Sequence, residues 1–167
     1  MRDSVPSTYP APAHSIAGWL LHTAARHRPL ARLAKAGHIA VLHHTRGRLL
    51  SRWFGSPVLV LETLGRKSGK RRRTTMTYCH IDGNYIVVAI NAGAPHTPAW
   101  WLNLRASGQG TILVGGRHRH VAAREAEGAE RQRLWSAYTK QTPLIEEFRE
   151  YADRDIPVVV LKPRDGA

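Results

Sequence analysis

Apolar positions recur at two different spacings along this chain, and the change falls near Ser56. Before it they return every three or four places. Ile16, Trp19, Leu20, Thr23, Ala24 and His27 form one stripe, and Leu30, Leu33, Ala34, Gly37, His38, Val41 and Leu42 a second; Leu49, Leu50, Trp53 and Phe54 form a short third. That spacing predicts amphipathic helices, with Ser15 able to cap the first and Pro29 interrupting it. Arg26, Arg28, Arg32, Lys35, Arg46, Arg48 and Arg52 lie opposite these stripes. A basic face beside tryptophans suits either a helix lying on an anionic membrane surface or a helix packed on the core with a wet basic side. Residues 1–14, punctuated by Pro6, Pro10 and Pro12, predict a disordered arm.

From Ser56 the period shortens to two. Strands are predicted at 57–63, 73–81, 85–90, 111–115, 117–125 and 156–162, with hairpin turns at Asp82-Gly83-Asn84 and Gly115-Gly116. One helix, Pro98 to Ala106, interrupts the strands, and two more fill 128–142 and 143–153. The last strand is apolar on both faces, which predicts a central position and pairing back with the first. The resulting plan is α+β: six antiparallel strands forming a small barrel, with inserted helices and N-terminal helices. It divides into an arm (1–14), a helical segment (15–55) and the barrel (56–163), a single domain overall.

Charge sharpens this picture. The chain has 167 residues, with 25 Lys+Arg against 12 Asp+Glu, a formal net charge of +13. That excess calls for an acidic partner without choosing among nucleic acid, anionic lipid and a multiply charged small molecule. The one cysteine, Cys79, cannot form an internal disulfide, and no secretory leader or membrane span is legible. A cytoplasmic protein is expected, with a peripheral contact at the inner face of the membrane left open through the N-terminal helices.

Two segments carry candidate chemistry. The first, LGRKSGKRRRTTMTY from Leu64 to Tyr78, sets Arg66, Lys67, Lys70, Arg71, Arg72 and Arg73 around a Gly65/Gly69 turn between two strands. Glycines let backbone N–H groups approach a ligand, and Arg forks match phosphate or carboxylate oxygens, so the loop can hold a polyanion; a solvated basic turn is the plain alternative. The second runs from Asn91 through Gly93 to a helix entered at Pro98, where Trp100 and Asn103 share a face and could flank a flat heterocycle. Trp100-Trp101 and the basic loop also admit a nucleic-acid stacking platform, but no helix-turn-helix, RRM or zinc signature accompanies them. No hydrolase or metalloprotease motif is present. His118 and His120, spaced by two with Arg117 and Arg119 between and beside them, read as a polar strand face rather than a metal site.

In order and spacing, GRKSG after a hydrophobic strand, PAWWLNL, Ala122-Ala123-Arg124-Glu125-Ala126 and Tyr151-x-x-Arg154-x-Ile156-Pro157-Val158-Val159 resemble the deazaflavin-dependent nitroreductases of actinobacteria, over about residues 40–163. The resemblance implies a split β-barrel of the FMN-binding, pyridoxamine-phosphate-oxidase type. It implies coenzyme F-420, an 8-hydroxy-5-deazaflavin with a phosphate and an oligoglutamate tail, which supplies the polyanion that the charge demands. It implies hydride transfer to an apolar electrophile: a quinone, an enone or a nitroaromatic. Carried over, Arg66, Lys67, Ser68, Gly69 and Arg72 would hold phosphate and tail, and Arg73, Thr74, Thr75 and Met76 would run beside the ring. Asn91, Gly93, Trp100 and Asn103 would border the coenzyme groove. Thr142, Ile145 and Phe148 stand where nitroimidazole-reducing members show tyrosines, which implies a more apolar substrate wall. Tyr78 and His80 are candidate proton donors. The same barrel loaded with FMN or haem, or a non-catalytic module for nucleic acid or membrane, are the competing readings.

Overall fold

The change of period near Ser56 marks where the sheet begins. In a computed structural model, residues 52–53 and 55–164 are described, all within the compact unit His38–Ala167. The expected arm and nearly all of the helical segment lie outside the described residues. At the end of that segment, Arg52–Trp53 is a two-residue strand, β1, paired antiparallel with Ser56–Pro57, rather than the tail of a third helix. Gly55, at φ 84, makes the reversal between them possible.

The remaining elements in chain order are β2 (Ser56–Leu64), β3 (Arg71–Thr77), β4 (Cys79–Ile81), β5 (Asn84–Val88), a 3₁₀ turn (Asn91–Gly93), α1 (Ala99–Ser107), β6 (Gln109–Val114), β7 (Arg117–Glu125), α2 (Gly128–Gln141), α3 (Leu144–Tyr151) and β8 (Val158–Pro163). The ladder runs β2-β6-β7-β8-β5-β4, antiparallel throughout, and β3 pairs with β2. The predicted strand 73–81 is thus two strands broken at Tyr78. Because β3 belongs to one end of the ladder and β4 to the other, this single run of chain closes the sheet into a barrel. Tyr78 still donates its N–H to the Pro57 carbonyl at 3.1 Å, so the closure is hydrogen-bonded at the break.

The last strand is central, as its two apolar faces require, but its neighbours are β5 and β7 rather than the first strand. Its second apolar face is explained by helix cover. Val159 and Leu161 point into the barrel with Leu59, Leu61, Tyr85, Val87 and Ile112. Val158 and Val160 point outward, with Ile86 and Val88, under Leu134, Tyr138 and Ile145 of α2 and α3. Pro157 cannot donate to the ladder and stays outside it, though its carbonyl accepts the Ala89 N–H at 2.9 Å.

Helix α1 lays Trp100, Trp101 and Leu104 into the inner cluster and so fills the barrel from one side. Pro98 precedes it with extended backbone while its carbonyl accepts from Trp101 and Leu102. Gly108, at φ 68, ends it by donating to Leu104. Among the described residues no helix is long and apolar enough to cross a membrane.

Candidate active site

The basic loop is tightly folded before any ligand arrives. Gly65 accepts from the Ser68 and Gly69 N–H groups at 3.0 and 2.7 Å, and its own N–H donates to Lys70 at 2.9 Å. A Cβ at Gly65 would come within 2.7 Å of the Ser68 hydroxyl and 3.3 Å of the Lys70 carbonyl, so a side chain there would turn the Ser68 hydroxyl away and crowd the loop backbone. The six basic side chains fall into two sets. Arg71 and Arg73 both reach Glu62, at 3.2 and 2.9 Å, on the outward face of β2 and β3. Burial alone would raise the Glu62 carboxyl; the hydrogen bond and charge of Arg73, with Arg71 and His118, outweigh it and hold the group below the usual carboxylate range. Among the described residues Arg66, Lys67, Lys70 and Arg72 have no acidic partner within salt-bridge distance. Arg73 is thus ion-paired with Glu62 on the outward face.

The strand that closes the barrel continues from this loop. Register pairs Thr63 with Arg72, Leu61 with Thr74 and Leu59 with Met76, so Arg72, Thr74 and Met76 share the inner face. Met76 and Tyr78 pack on the inner cluster, and His80 lies 4.9 Å from Tyr85, ring to ring. Every second residue from Arg72 to His80 is exposed or half-exposed, whereas Thr75 and Cys79 on the other face are buried. The inner face of this strand is thus exposed at Arg72 and His80 and half-buried between them, over roughly 25 Å at the usual rise per residue. Thr75 points away from it, and among the described residues its hydroxyl has no hydrogen-bond partner.

The two segments singled out in the sequence meet through one side chain. Asn103, only 5% exposed, accepts the Arg66 N–H at 3.2 Å and donates to the Thr63 hydroxyl at 3.2 Å. Its amide is used on protein partners at both ends rather than lying open along a groove. Trp100 is 9% exposed and belongs to the inner core, so what it can offer a ligand is a rim. Asn91 takes a left-handed backbone, φ 54, and its side chain donates to His96. Gly93, also left-handed, is buried. Arg154 braces this turn: it donates to the carbonyls of Ala89, Ile90 and Ala94 at 2.8, 3.0 and 3.2 Å. No role for Arg154, Thr63 or Glu62 was legible beforehand, although Glu62 opposite two arginines is a cross-strand signal.

The residues expected as a substrate wall, Thr142, Ile145 and Phe148, are placed on the outer side of the barrel. Thr142 is buried and donates to the Ser56 hydroxyl at 3.0 Å, while Ile145 and Phe148 pack in the outer cluster against β5 and β8. Helical spacing correctly placed them on one face; that face meets the sheet. The end of α2 instead secures the barrel closure. The Tyr138 hydroxyl lies 2.6 Å from that of Thr77 and 3.0 Å from the Thr77 carbonyl, and Gln141 donates to the Tyr78 carbonyl at 2.8 Å. Burial raises the Tyr78 phenol above its ordinary value, with Tyr85 adding and Arg52 partly offsetting. Burial likewise pushes the Cys79 thiol up, which agrees with a small buried side chain rather than a reactive one. Among the described residues no three His, Cys, Asp or Glu side chains gather as a metal site.

An antiparallel barrel with a hydrogen-bonded basic loop leading into a half-exposed strand face defines a split-barrel protein. The model of one family, the F420H(2)-dependent quinone reductases, matches residues 35–163. An F420H(2)-dependent quinone reductase of Mycobacterium tuberculosis is 33% identical over 131 residues, covering 76% of this chain and 88% of that protein. A solved F420-H2 dependent reductase superposes with a TM-score of 0.58 at 32% identity, over 64% of this chain and 94% of its own. A haem storage protein from Vibrio cholerae, at 14% identity and a TM-score of 0.51 over 79% and 92%, shares the fold alone. The chain belongs to the F420H(2)-dependent quinone reductase family and is a reductase that uses coenzyme F-420. The family is named for quinones, so nitroaromatic acceptors, which the sequence resemblance brought in, are not carried by the match.

Proposed function

We propose that Arg66, Lys67, Lys70 and Arg72 hold the phosphate and glutamate tail of coenzyme F-420, and that the deazaflavin lies along Thr74, Met76 and Tyr78. The observation that carries this reading is the continuity between four acid-free cations and the half-exposed inner face of the closing strand. The donor set fits the group: cations and loop N–H groups at one end, small and apolar side chains along the rest. When bound in its reduced form the coenzyme supplies the hydride. The chain's residues bind it, orient its face towards the acceptor and keep water from the groove. The Tyr78 phenol can donate a hydrogen bond to an acceptor carbonyl, and His80 is the nearer group to solvent. The acceptor favoured is a quinone, because Met76 and the rings of the Tyr78–Tyr85 pair, 5.4 Å apart edge to face, present apolar surface beside a phenol able to donate to a quinone carbonyl. Asn91 and Gly93 would shape the far rim through their left-handed backbone.

The test is a panel of menadione, unsaturated ketones and nitroaromatics assayed with reduced coenzyme. Quinone turnover that falls on Arg72→Ala supports the reading. Equal turnover with reduced FMN, or none with any acceptor, overturns it. A lipid-soluble quinone would give Trp19, Leu20 and the N-terminal arginines a use as a peripheral membrane contact at the cytoplasmic face. Loss of co-sedimentation with anionic vesicles on deleting residues 1–28 would support that, and indifference of the full chain to such vesicles would end it.

A further inference from the structure

Asn103 makes hydrogen bonds that a coenzyme ligand would not be expected to have already made. Its Oδ1 accepts the N–H of Arg66, the first basic residue of the loop, and its Nδ2 donates to Thr63, the last buried residue of β2 before that loop. Both partners belong to the cation-bearing segment, while Asn103 itself belongs to α1, whose Trp100 sits one turn earlier in the inner core. Thr63 in turn is the cross-strand neighbour of Arg72, an acid-free cation on the inner face. One buried amide therefore ties the loop, the strand that leads into it and the helix that fills the barrel.

We propose that Asn103 is a positioning residue: it fixes the basic loop to α1, so that the tail-binding cations and the groove floor at Trp100 are held as one body. This deepens the coenzyme reading above and rests on it. The physical reason is the environment. A buried amide whose two ends are both satisfied has one favourable arrangement, and removing it strands a backbone N–H and a hydroxyl away from water. The loop's internal bonds, Gly65 to Ser68, Gly69 and Lys70, fix its shape; Asn103 fixes where that shape stands relative to the groove. A loop held in place binds a multiply charged tail without first losing conformational freedom.

The proposal separates the tail from the ring. Three proteins are compared, wild type, Asn103→Leu and Thr63→Val, each with complete coenzyme F-420 and with the tail-free 8-hydroxy-5-deazaflavin riboside, by fluorescence polarisation. Amide hydrogen exchange of Arg66 is followed without any ligand. Asn103→Leu is expected to weaken the complete coenzyme about tenfold, the size of one lost hydrogen bond of this kind, and to leave the riboside within about twofold. Exchange at Arg66 should accelerate while α1 amides stay protected. Thr63→Val, which removes only one of the two contacts, should give a smaller loss of the same kind and serves if the Leu variant does not fold. A parallel loss for coenzyme and riboside would place Asn103 against the ring and overturn the proposal. Unchanged affinity and unchanged Arg66 exchange would overturn it too. If wild type binds coenzyme and riboside equally, the tail-binding reading itself fails, and that result is recognisable before any variant is measured.

Discussion

The separation of the basic side chains into two sets is the sharpest consequence at the scale of single residues. Arg72 faces inward with Thr63 and Thr74, and Arg73, one position on, faces outward to Glu62. Replacing Arg72 or Lys67 with Ala should weaken coenzyme binding by about 1.5–3 kcal/mol, the range for hydrogen bonds to charged groups. Arg73→Ala should cost less than about 0.5 kcal/mol in the same titration, since it loses only an exposed ion pair. Equal losses at positions 72 and 73 would contradict the alternation. Glu62 adds a pH signature. Its carboxyl is depressed in the folded protein, so its contribution to stability is complete above the unfolded value of about 4.3 and disappears as pH falls through the folded one. The melting-temperature gap between wild type and Glu62→Gln should be constant near neutrality and close in acid. Sequence showed the density of cations here. It did not show which were neutralised, because that depends on what β2 places opposite them.

At the scale of elements, α2 and α3 cover the outward face of β5 and β8, and their apolar residues are core. Ile145→Ala should destabilise by about 2–4 kcal/mol in a denaturant titration. Converting Ile145 to Tyr should also destabilise, by forcing a hydroxyl into the outer cluster, and should bring no new turnover on nitroaromatics. Tyr138→Phe leaves Thr77 without its partner at the barrel closure and should cost about 1–2 kcal/mol in the same titration. The helices themselves were readable from period and turn chemistry: α1 over Ala99–Ser107 against Pro98 to Ala106 expected, α2 and α3 within a residue or two of their predicted spans. Their partners were not. Spacing of three identifies a shared face at Thr142, Ile145 and Phe148, but not the surface that the face meets.

For the whole molecule, the β3–β4 run joins the two ends of the ladder and carries the half-exposed inner face that leads away from the basic loop. Binding through four acid-free cations should weaken steadily as ionic strength rises, while affinity for a tail-free riboside should barely move; a salt-independent coenzyme affinity would remove the loop from the site. The sequence by itself determined the antiparallel plan, the two hairpin turns at Asp82-Gly83 and Gly115-Gly116, the order of helices and strands, and the dense basic loop between β2 and β3. Those features rest on local chemistry: residue period, positive-φ positions and charge density within a few neighbours. Only the tertiary structure decided that the last strand lies between β5 and β7, that Tyr78 is the point of closure, and that Asn103 and Arg154 hydrogen-bond to the basic loop and to the turn after β5. These depend on which distant groups share a buried space, such as Asn103 with Thr63 or Arg154 with the Ala89 carbonyl. A buried polar group is satisfied by whatever closure brings beside it, and no local pattern records that.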